Sequence, residues 1–243
     1  MAELAPRTEF RHWDFDQVHR WGPTIDERVV GSPALRRWQL ACRQFCGLLA
    51  RIEFDGLERV PAQGPAILAV NHTSAMDGAL LFGFVDRVVS FIVKAEAFEP
   101  AGGLAGRVLM RGAQLPVRRG YLDPAPVRLT LTMLDRGAVL GICPEGSRGD
   151  GRVRLAQPGV GYFALKTGTP VLPVAVHGAA AMAHHRAGPR PLVRVTVGAP
   201  IRLGPAVPGP LNRRRWLAAT EQVRCRLAEL VQDTDPNSAV ATA

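Results

Sequence analysis

The stretch Ala66-Ile-Leu-Ala-Val-Asn-His-Thr-Ser-Ala-Met-Asp77 joins a wholly apolar run to a group of polar residues. Five successive apolar residues are typical of a strand that is buried on both faces, as in a parallel sheet between layers of helices. The strand should end near Val70. A helix should begin around Ser74 or Ala75, with Thr73 or Ser74 as its N-cap. The stretch therefore predicts a strand, a turn and a helix in an α/β fold.

His72 lies in the predicted turn, and Asp77 lies in the first helical turn, where the helix dipole favours a negative charge. Residues five apart do not share a face of a regular helix, so the turn is what would let Asp77 fold back onto His72. There it would fix the tautomer and leave the outer nitrogen free to take a proton from a bound hydroxyl. The alternative is an ordinary hydrogen-bonded turn histidine, since this spacing alone is weak evidence in a chain with six histidines.

A second buried strand is predicted over Val139–Cys143, and Pro144 ends it. Glu145 and Arg148 follow, separated by Gly146 and Ser147. Ligands of open α/β sheets bind where strands end, and glycine lets the main chain approach a ligand closely. A local ion pair that caps a turn is the alternative interpretation of Glu145 and Arg148.

Two further segments have strand character. Residues 112–120 carry Arg118 and Arg119, whose guanidinium groups match phosphate oxygens, although an exposed sheet edge would also accommodate them. Residues 170–178 form another apolar run, and its prolines indicate an edge or bulge position.

The chain has 243 residues, 47% of them hydrophobic, which is enough for one α/β core. We expect a polar N-terminal extension over 1–32, a single domain over 33–231 that a helix over 211–231 closes, and a disordered tail over 232–243. The four cysteines show no zinc pattern, so we expect no metal site and a reducing, cytoplasmic compartment.

The net charge of +9 comes almost wholly from arginine and would attract anionic lipid. Charge alone would attract nucleic acid too, but no nucleic-acid-binding pattern accompanies it and we expect no such partner. No apolar run is long enough to span a bilayer. Residues 34–51 predict an amphipathic helix, either at a membrane interface or packed on the sheet. Its apolar face comprises Trp38, Cys42, Phe45 and Leu49.

Taken in order, four segments resemble the blocks of the glycerolipid acyltransferases that include the 1-acyl-sn-glycerol-3-phosphate (lysophosphatidate) acyltransferases. The family blocks are N-H-x4-D, G-x-x-P-V-D-R, F-P-E-G-T-R and V-x-P-V. They correspond here to Asn71–Asp77, Gly112–Arg119, Cys143–Arg148 and Val171–Val174. The resemblance covers residues 50 to 205, and the ordered set is more specific than any single block.

The resemblance implies a central mixed, mostly parallel β-sheet flanked by helices, preceded by the N-terminal amphipathic helix. It makes His72 the general base and Asp77 its orienting partner. It assigns acceptor binding to Arg118, Arg119, Glu145, Gly146, Ser147 and Arg148, and supporting roles to Asn71, Lys94 and Pro173. Main-chain N–H groups at the start of the helix after His72 would stabilise the oxyanion.

The implied reaction moves a fatty acyl group from acyl-CoA or acyl carrier protein to a lysophospholipid hydroxyl, without a bound cofactor. The acceptor would be 1-acyl-sn-glycerol-3-phosphate, on the inner face of the cell membrane. Arg118 stands where the family has an aspartate, so glycerol-3-phosphate, another lysolipid or a lipid alcohol are alternative acceptors. Cys143 and Ser147 are milder departures from the usual aromatic residue and threonine. A catalytically idle lipid-binding protein is the alternative of a different class.

Overall fold

The computed structural model describes residues 33–98, 109, 112–117, 124–185 and 187–236, in which strands and helices alternate. The strands are β1 (Arg51–Asp55), β2 (Ala66–Val70), β3 (Val89–Lys94), β4 (Leu115–Val117), β5 (Val139–Ile142), β6 (Val171–His177) and β7 (Leu192–Val197). The helices are α1 (Pro33–Leu49), α2 (Met76–Phe84), α3 (Pro124–Asp135), α4 (Gly159–Thr167), α5 (Ala179–His184) and α6 (Arg213–Asp233). Short 3-10 turns, Leu57–Arg59 and Ala95–Phe98, follow β1 and β3.

The predicted extension over 1–32, Arg118, Arg119 and residues 237–243 of the predicted tail lie outside the described residues. The predicted domain boundaries therefore stay predictions.

The described strands form one seven-stranded sheet in the order β1-β7-β6-β2-β5-β3-β4. Neighbouring strands are parallel except β6 and β7, so β1 and β7 run opposite to the other five. The predicted α/β fold with a mixed, mostly parallel sheet flanked by helices is confirmed. Because the middle strands are parallel, their carboxyl ends lie at one edge of the sheet.

The central strand β2 has helices over both of its faces, and all five of its residues are buried. Leu68 and Val70 contribute to a core cluster that includes residues of α1, α2 and α5. Ile67 and Ala69, which point to the opposite face, contribute to a second cluster with residues of α3, α4 and α6. Fully burying a side chain such as Leu68 stabilises the fold by about 1.5–3 kcal/mol, which is why this run is apolar at every position.

The interior position of β6 contradicts the edge position that its prolines indicated, because β6 lies between β7 and β2. The carbonyl of Pro173 accepts the N–H of Gly198 at 2.8 Å. The ladder with β7 ends at Val197 and resumes only at the isolated pair of Val171 with Ile201. The N–H that proline lacks falls at this break, which agrees with the bulge alternative.

The amphipathic helix α1 packs on the protein along one side only. Its side that faces α2 buries Cys46 and brings the Cys42 thiol within 3.3 Å of the Ala79 carbonyl oxygen. Its other side leaves Phe45 and Leu48 exposed, at 54% and 72% of their surface. The helix therefore packs on the protein and still presents apolar side chains to its surroundings.

Candidate active site

Several site residues predicted from the sequence follow strands that end at the same edge of the sheet. His72 comes two residues after β2, and Glu145 comes three residues after β5. Lys94 ends β3, where it is exposed and lies opposite Val117, the residue before the two arginines that fall outside the described part. The topology thus brings the first and third sequence blocks into contact and places Lys94 at the same edge.

His72 and Asp77 are in direct contact. Nδ1 of His72 lies 3.0 Å from Oδ2 of Asp77; the aspartate side chain is fully buried and the imidazole is 21% exposed. An ionised carboxylate can only accept hydrogen bonds, so we assign the hydrogen of the neutral imidazole to Nδ1. Nε2 then carries the lone pair, and it makes no hydrogen bond with any residue the structure describes. This is the arrangement a general base requires.

Asp77 is held by the main chain of the same turn. Its Oδ2 also accepts the N–H groups of Thr73 and Ser74, both at 2.9 Å, and Oδ1 lies 3.4 Å from the Thr73 hydroxyl. One carboxylate oxygen thus accepts from three N–H donors. The carboxylate therefore fixes the imidazole and the turn together.

The helix after this turn begins one or two residues later than predicted. Helix α2 starts at Met76 with Ala75 as its N-cap, while the Ser74 hydroxyl accepts the Met76 N–H at 3.2 Å. The N–H groups of Thr73, Ser74 and Met76 are thus already bonded to side chains. The predicted oxyanion site at the start of this helix is therefore wrong for these three groups.

The main chain of His72 is bonded on both sides by the loop that follows β5. Its N–H donates to Oε1 of Glu145 at 2.8 Å, and its carbonyl accepts the N–H of Gly149 at 2.9 Å. Burial raises the pKa of the Glu145 carboxyl, while the hydrogen bond from His72 acts in the opposite direction. Within the described residues no salt bridge joins Glu145 to Arg148, so their contacts do not support the ion-pair interpretation.

The rest of the third block lies in the same segment of chain as Glu145. Gly146 has φ of +72°, and a Cβ there would lie 2.9 Å from Cγ of Gln157, so another residue would be strained here. Ser147 and Arg148 are exposed. Burial, followed by the charges of Asp77 and Glu145, raises the pKa of the Cys143 thiol far above its ordinary value. That thiol stays protonated, which argues against a nucleophilic role.

Asn71 and Pro173 contribute to the pairing and packing of the strands behind the site. The buried Asn71 amide pairs with both main-chain groups of Val176: Nδ2 donates to the carbonyl at 3.0 Å, and Oδ1 accepts the N–H at 2.7 Å. Asn71 therefore extends the pairing of β2 with β6 beyond the last strand residue. Pro173 lies inside β6 and contributes to its packing against Gly198.

Two glycines of the site went unpredicted from the sequence. Gly149 bonds His72, and Gly151 has φ of +75° with its Cα against the turn: a Cβ there would lie 2.6 Å from Cγ2 of Thr73. The signal available in the sequence was the Gly-Asp-Gly run that follows Arg148. Only the fold shows that it packs on the residues around His72.

Metal binding finds no support in the part of the chain that the structure describes, where no three His, Cys, Asp or Glu side chains are grouped to hold an ion. The chemistry that the described residues offer is proton transfer at Nε2 of His72.

Comparison with known proteins identifies the family of the chain. A family model described as Acyltransferase matches residues 51–177, a range that includes His72, Asp77 and the loop after β5. The chain belongs to this acyltransferase family.

Curated relatives carry more specific names. The chloroplastic 1-acyl-sn-glycerol-3-phosphate acyltransferase of Arabidopsis thaliana is 32% identical over 169 residues, which are 62% of this chain and 46% of the relative. The 1-acyl-sn-glycerol-3-phosphate acyltransferase of Bacillus subtilis is 25% identical over 196 residues, 80% of this chain and 96% of the relative. The chain spans about half the length of the two chloroplastic relatives.

The fold also matches a solved structure. The crystal structure of the 1-acyl-sn-glycerophosphate acyltransferase PlsC from Thermotoga maritima superposes with a TM-score of 0.57 at 22% identity. The match covers 90% of this chain and 93% of that chain. It shows a shared fold.

Proposed function

We propose that this protein is an O-acyltransferase that moves a fatty acyl group from an acyl thioester to the free hydroxyl of 1-acyl-sn-glycerol-3-phosphate, giving phosphatidate. The observation that carries the proposal is the contact of Nδ1 of His72 with Asp77 at 3.0 Å, which leaves Nε2 as a base. The names of the curated relatives support the acceptor. The donor is acyl-CoA or the acylated form of acyl carrier protein, and the acyl transfer needs no cofactor.

The acceptor hydroxyl attacks the thioester carbonyl while its proton passes to Nε2 of His72. Asp77 stabilises the imidazolium that forms, and the oxyanion of the tetrahedral intermediate then collapses as the C–S bond breaks. The departing thiolate takes the proton back from His72. One ester bond forms, one thioester bond breaks, and the base is regenerated.

The acceptor phosphate is assigned to the basic residues at this edge of the sheet. Arg148 is exposed in the loop that contacts His72, and Lys94 is exposed at the end of β3. Arg118 and Arg119 follow β4, which lies beside β3, and join the proposal from their sequence positions. Guanidinium groups bind phosphate oxygens bidentately, so this set suits a phosphomonoester.

The oxyanion is assigned to the turn after Glu145. Among the described residues the N–H groups of Ser147 and Arg148 have no hydrogen-bond acceptor, unlike those of Thr73, Ser74 and Met76. Free main-chain donors near the base are what an oxyanion requires.

We also propose that the protein works as a peripheral protein on the inner face of the cell membrane. In the part that the structure describes, no helix is both long and apolar enough to cross a bilayer. Helix α1 presents Phe45 and Leu48 on the same side as the exposed Arg37, a combination that suits the interface of an anionic membrane.

The test is a substrate panel with the purified protein in detergent or liposomes. Thiol release from oleoyl-CoA and from oleoyl-acyl carrier protein is measured with lysophosphatidate, glycerol-3-phosphate or other lysolipids, and the products are identified by mass spectrometry. Acceptor-dependent release with phosphatidate as product supports the proposal. A different acylated product would correct the acceptor, and lipid binding with no release from any donor would favour the idle lipid-binding protein.

A further inference from the structure

The hydrogen bond between the Glu145 side chain and the His72 main chain replaces a main-chain hydrogen bond that the segment after β5 does not supply. The Ala66 N–H donates to the carbonyl of Ala138, the residue before β5, so alternate residues of β2 direct their N–H groups toward that strand. If this alternation continued to His72, the His72 N–H would donate to the carbonyl of Pro144. That carbonyl instead accepts the N–H of Gln157 at 2.7 Å.

The Glu145 carboxylate takes the place of that carbonyl. The paired register of β2 with β5 ends at Ala69 and Ile142, and Oε1 of Glu145 then accepts the His72 N–H at 2.8 Å. Gly149, four residues further along the same loop, donates to the His72 carbonyl. Both main-chain polar groups of His72 are thereby bonded to one loop.

We propose that Glu145 is a positioning residue for the base: its carboxylate holds the main chain of His72, and the acceptor phosphate is left to Arg148 and the other basic residues of the site. The inference rests on the proposed acyl transfer and deepens it, because the family resemblance alone assigns Glu145 to acceptor binding. A base displaced by about 1 Å can cost a factor of 10² in rate, so loss of the bond should act on kcat.

Three substitutions of Glu145 separate the effect of side-chain length from the effect of charge. Glu145→Gln keeps a carbonyl oxygen at the same reach without the charge, and Glu145→Asp keeps the charge but is one methylene too short. Glu145→Ala removes both. If Glu145 positions His72, kcat should fall by roughly 10- to 100-fold in the Ala and Asp variants, the Gln variant should retain most of it, and the acceptor KM should change little in all three. Arg148→Ala, the matched control, should raise the acceptor KM instead.

The result that overturns the inference is the reverse order, with Asp active, Gln inactive and the acceptor KM raised, since it would make Glu145 a charged acceptor ligand. Amide hydrogen exchange over residues 70–75 gives a readout that does not depend on activity. Exchange at His72 should be faster in the Ala and Asp variants than in the wild type and the Gln variant. If the wild-type protein shows no acyl transfer, the proposed function fails while this exchange still decides the inference, and unchanged exchange in the Ala variant would overturn it.

Discussion

Asp77 shows how one buried carboxylate can organise a site. It has no exposed surface, and a single oxygen accepts from the imidazole and from two main-chain N–H groups. Each unpaired buried donor would cost about 1–3 kcal/mol, so the charge and the turn depend on each other. The His72–Asp77 contact could be predicted from the sequence, because His72 falls in a turn that lets Asp77 fold back onto it. The sequence could not show that two main-chain N–H groups of this turn also donate to the aspartate.

Replacing Asp77 by asparagine should abolish most activity with a modest loss of stability. One oxygen of Asp77 accepts from Nδ1 and from both N–H groups, so an asparagine carbonyl in that place can keep all three bonds. It carries no charge, however, to stabilise the imidazolium that forms when His72 takes a proton. In a Ser-His-Asp triad this change costs kcat a factor on the order of 10⁴. Steady-state kinetics and urea unfolding would measure both effects, with the exposed Asp86→Asn as the control. Near-normal kcat in Asp77→Asn would contradict the role of the Asp77 charge in stabilising the imidazolium.

Glu145 predicts a dependence of stability on pH. Burial raises the pKa of this carboxyl in the folded protein, so folding favours its protonated form. The associated stability is present below the ordinary pKa of a glutamate, about 4.3, and is lost as pH rises through the higher folded-state pKa. Relative to Glu145→Gln, the wild type should therefore lose stability as pH rises through this window. Urea unfolding of both proteins at several pH values would measure the difference, and a difference of the opposite sign would contradict the raised pKa.

At the scale of elements, the loop after β5 and the turn after β2 act as one unit. Gly151 lets this loop pack against Thr73, and its φ of +75° also favours glycine. Gly64 offers a matched case, because it has φ of +77° but nothing within 4 Å of the position that a Cβ would take.

Gly151→Ala should therefore lower kcat, whereas Gly64→Ala should not. Both changes introduce left-handed strain of about 1–2 kcal/mol, but only the alanine at 151 also displaces the turn that carries His72. Unfolding free energies and kcat of the two variants would be compared side by side. Equal kcat in both would show that the loop does not hold the turn.

The elements that could be predicted from the sequence are those with continuous apolar runs or clear helical periodicity. β2, β5 and β6 fall within such runs, and the closing helix predicted over 211–231 is found at Arg213–Asp233. The position of β6 was harder, because proline normally marks an edge, and only the break after Val197 explains its place inside the sheet. The contact of Gly149 with His72 could not be predicted either, since it joins loops far apart in the chain that only the parallel order of β2 and β5 brings together.

At the scale of the whole molecule, α1 packs on the end of the helix that follows the turn of His72. The Gln39 amide donates to the carbonyls of Phe82 and Arg87 at 3.1 and 3.2 Å, at the end of the helix that starts beside His72. The exposed apolar side of α1 and the base are thus connected through a single helix, α2.

Replacing Phe45 and Leu48 together by serine should weaken binding to anionic liposomes by at least about tenfold, since each large apolar side chain contributes about 1.5–3 kcal/mol when fully buried. Leu217→Ser on α6, at 39% exposure, is the control. Liposome sedimentation at increasing salt would measure the effect, and binding should fall with salt because arginine contributes to it. Unchanged binding by the double variant would exclude α1 as the membrane contact.

The most direct test of the account is acceptor-dependent thiol release by His72→Ala, compared with the wild type and with His184→Ala, a change to an exposed histidine on α5. Removing a general base typically costs about 10²–10⁴ in rate. We therefore expect the wild type and His184→Ala to release thiol only when acceptor is present, and His72→Ala to be at least about a hundredfold slower while remaining folded. A folded His72→Ala protein that still transfers the acyl group at the wild-type rate would contradict the assignment of His72 as the base.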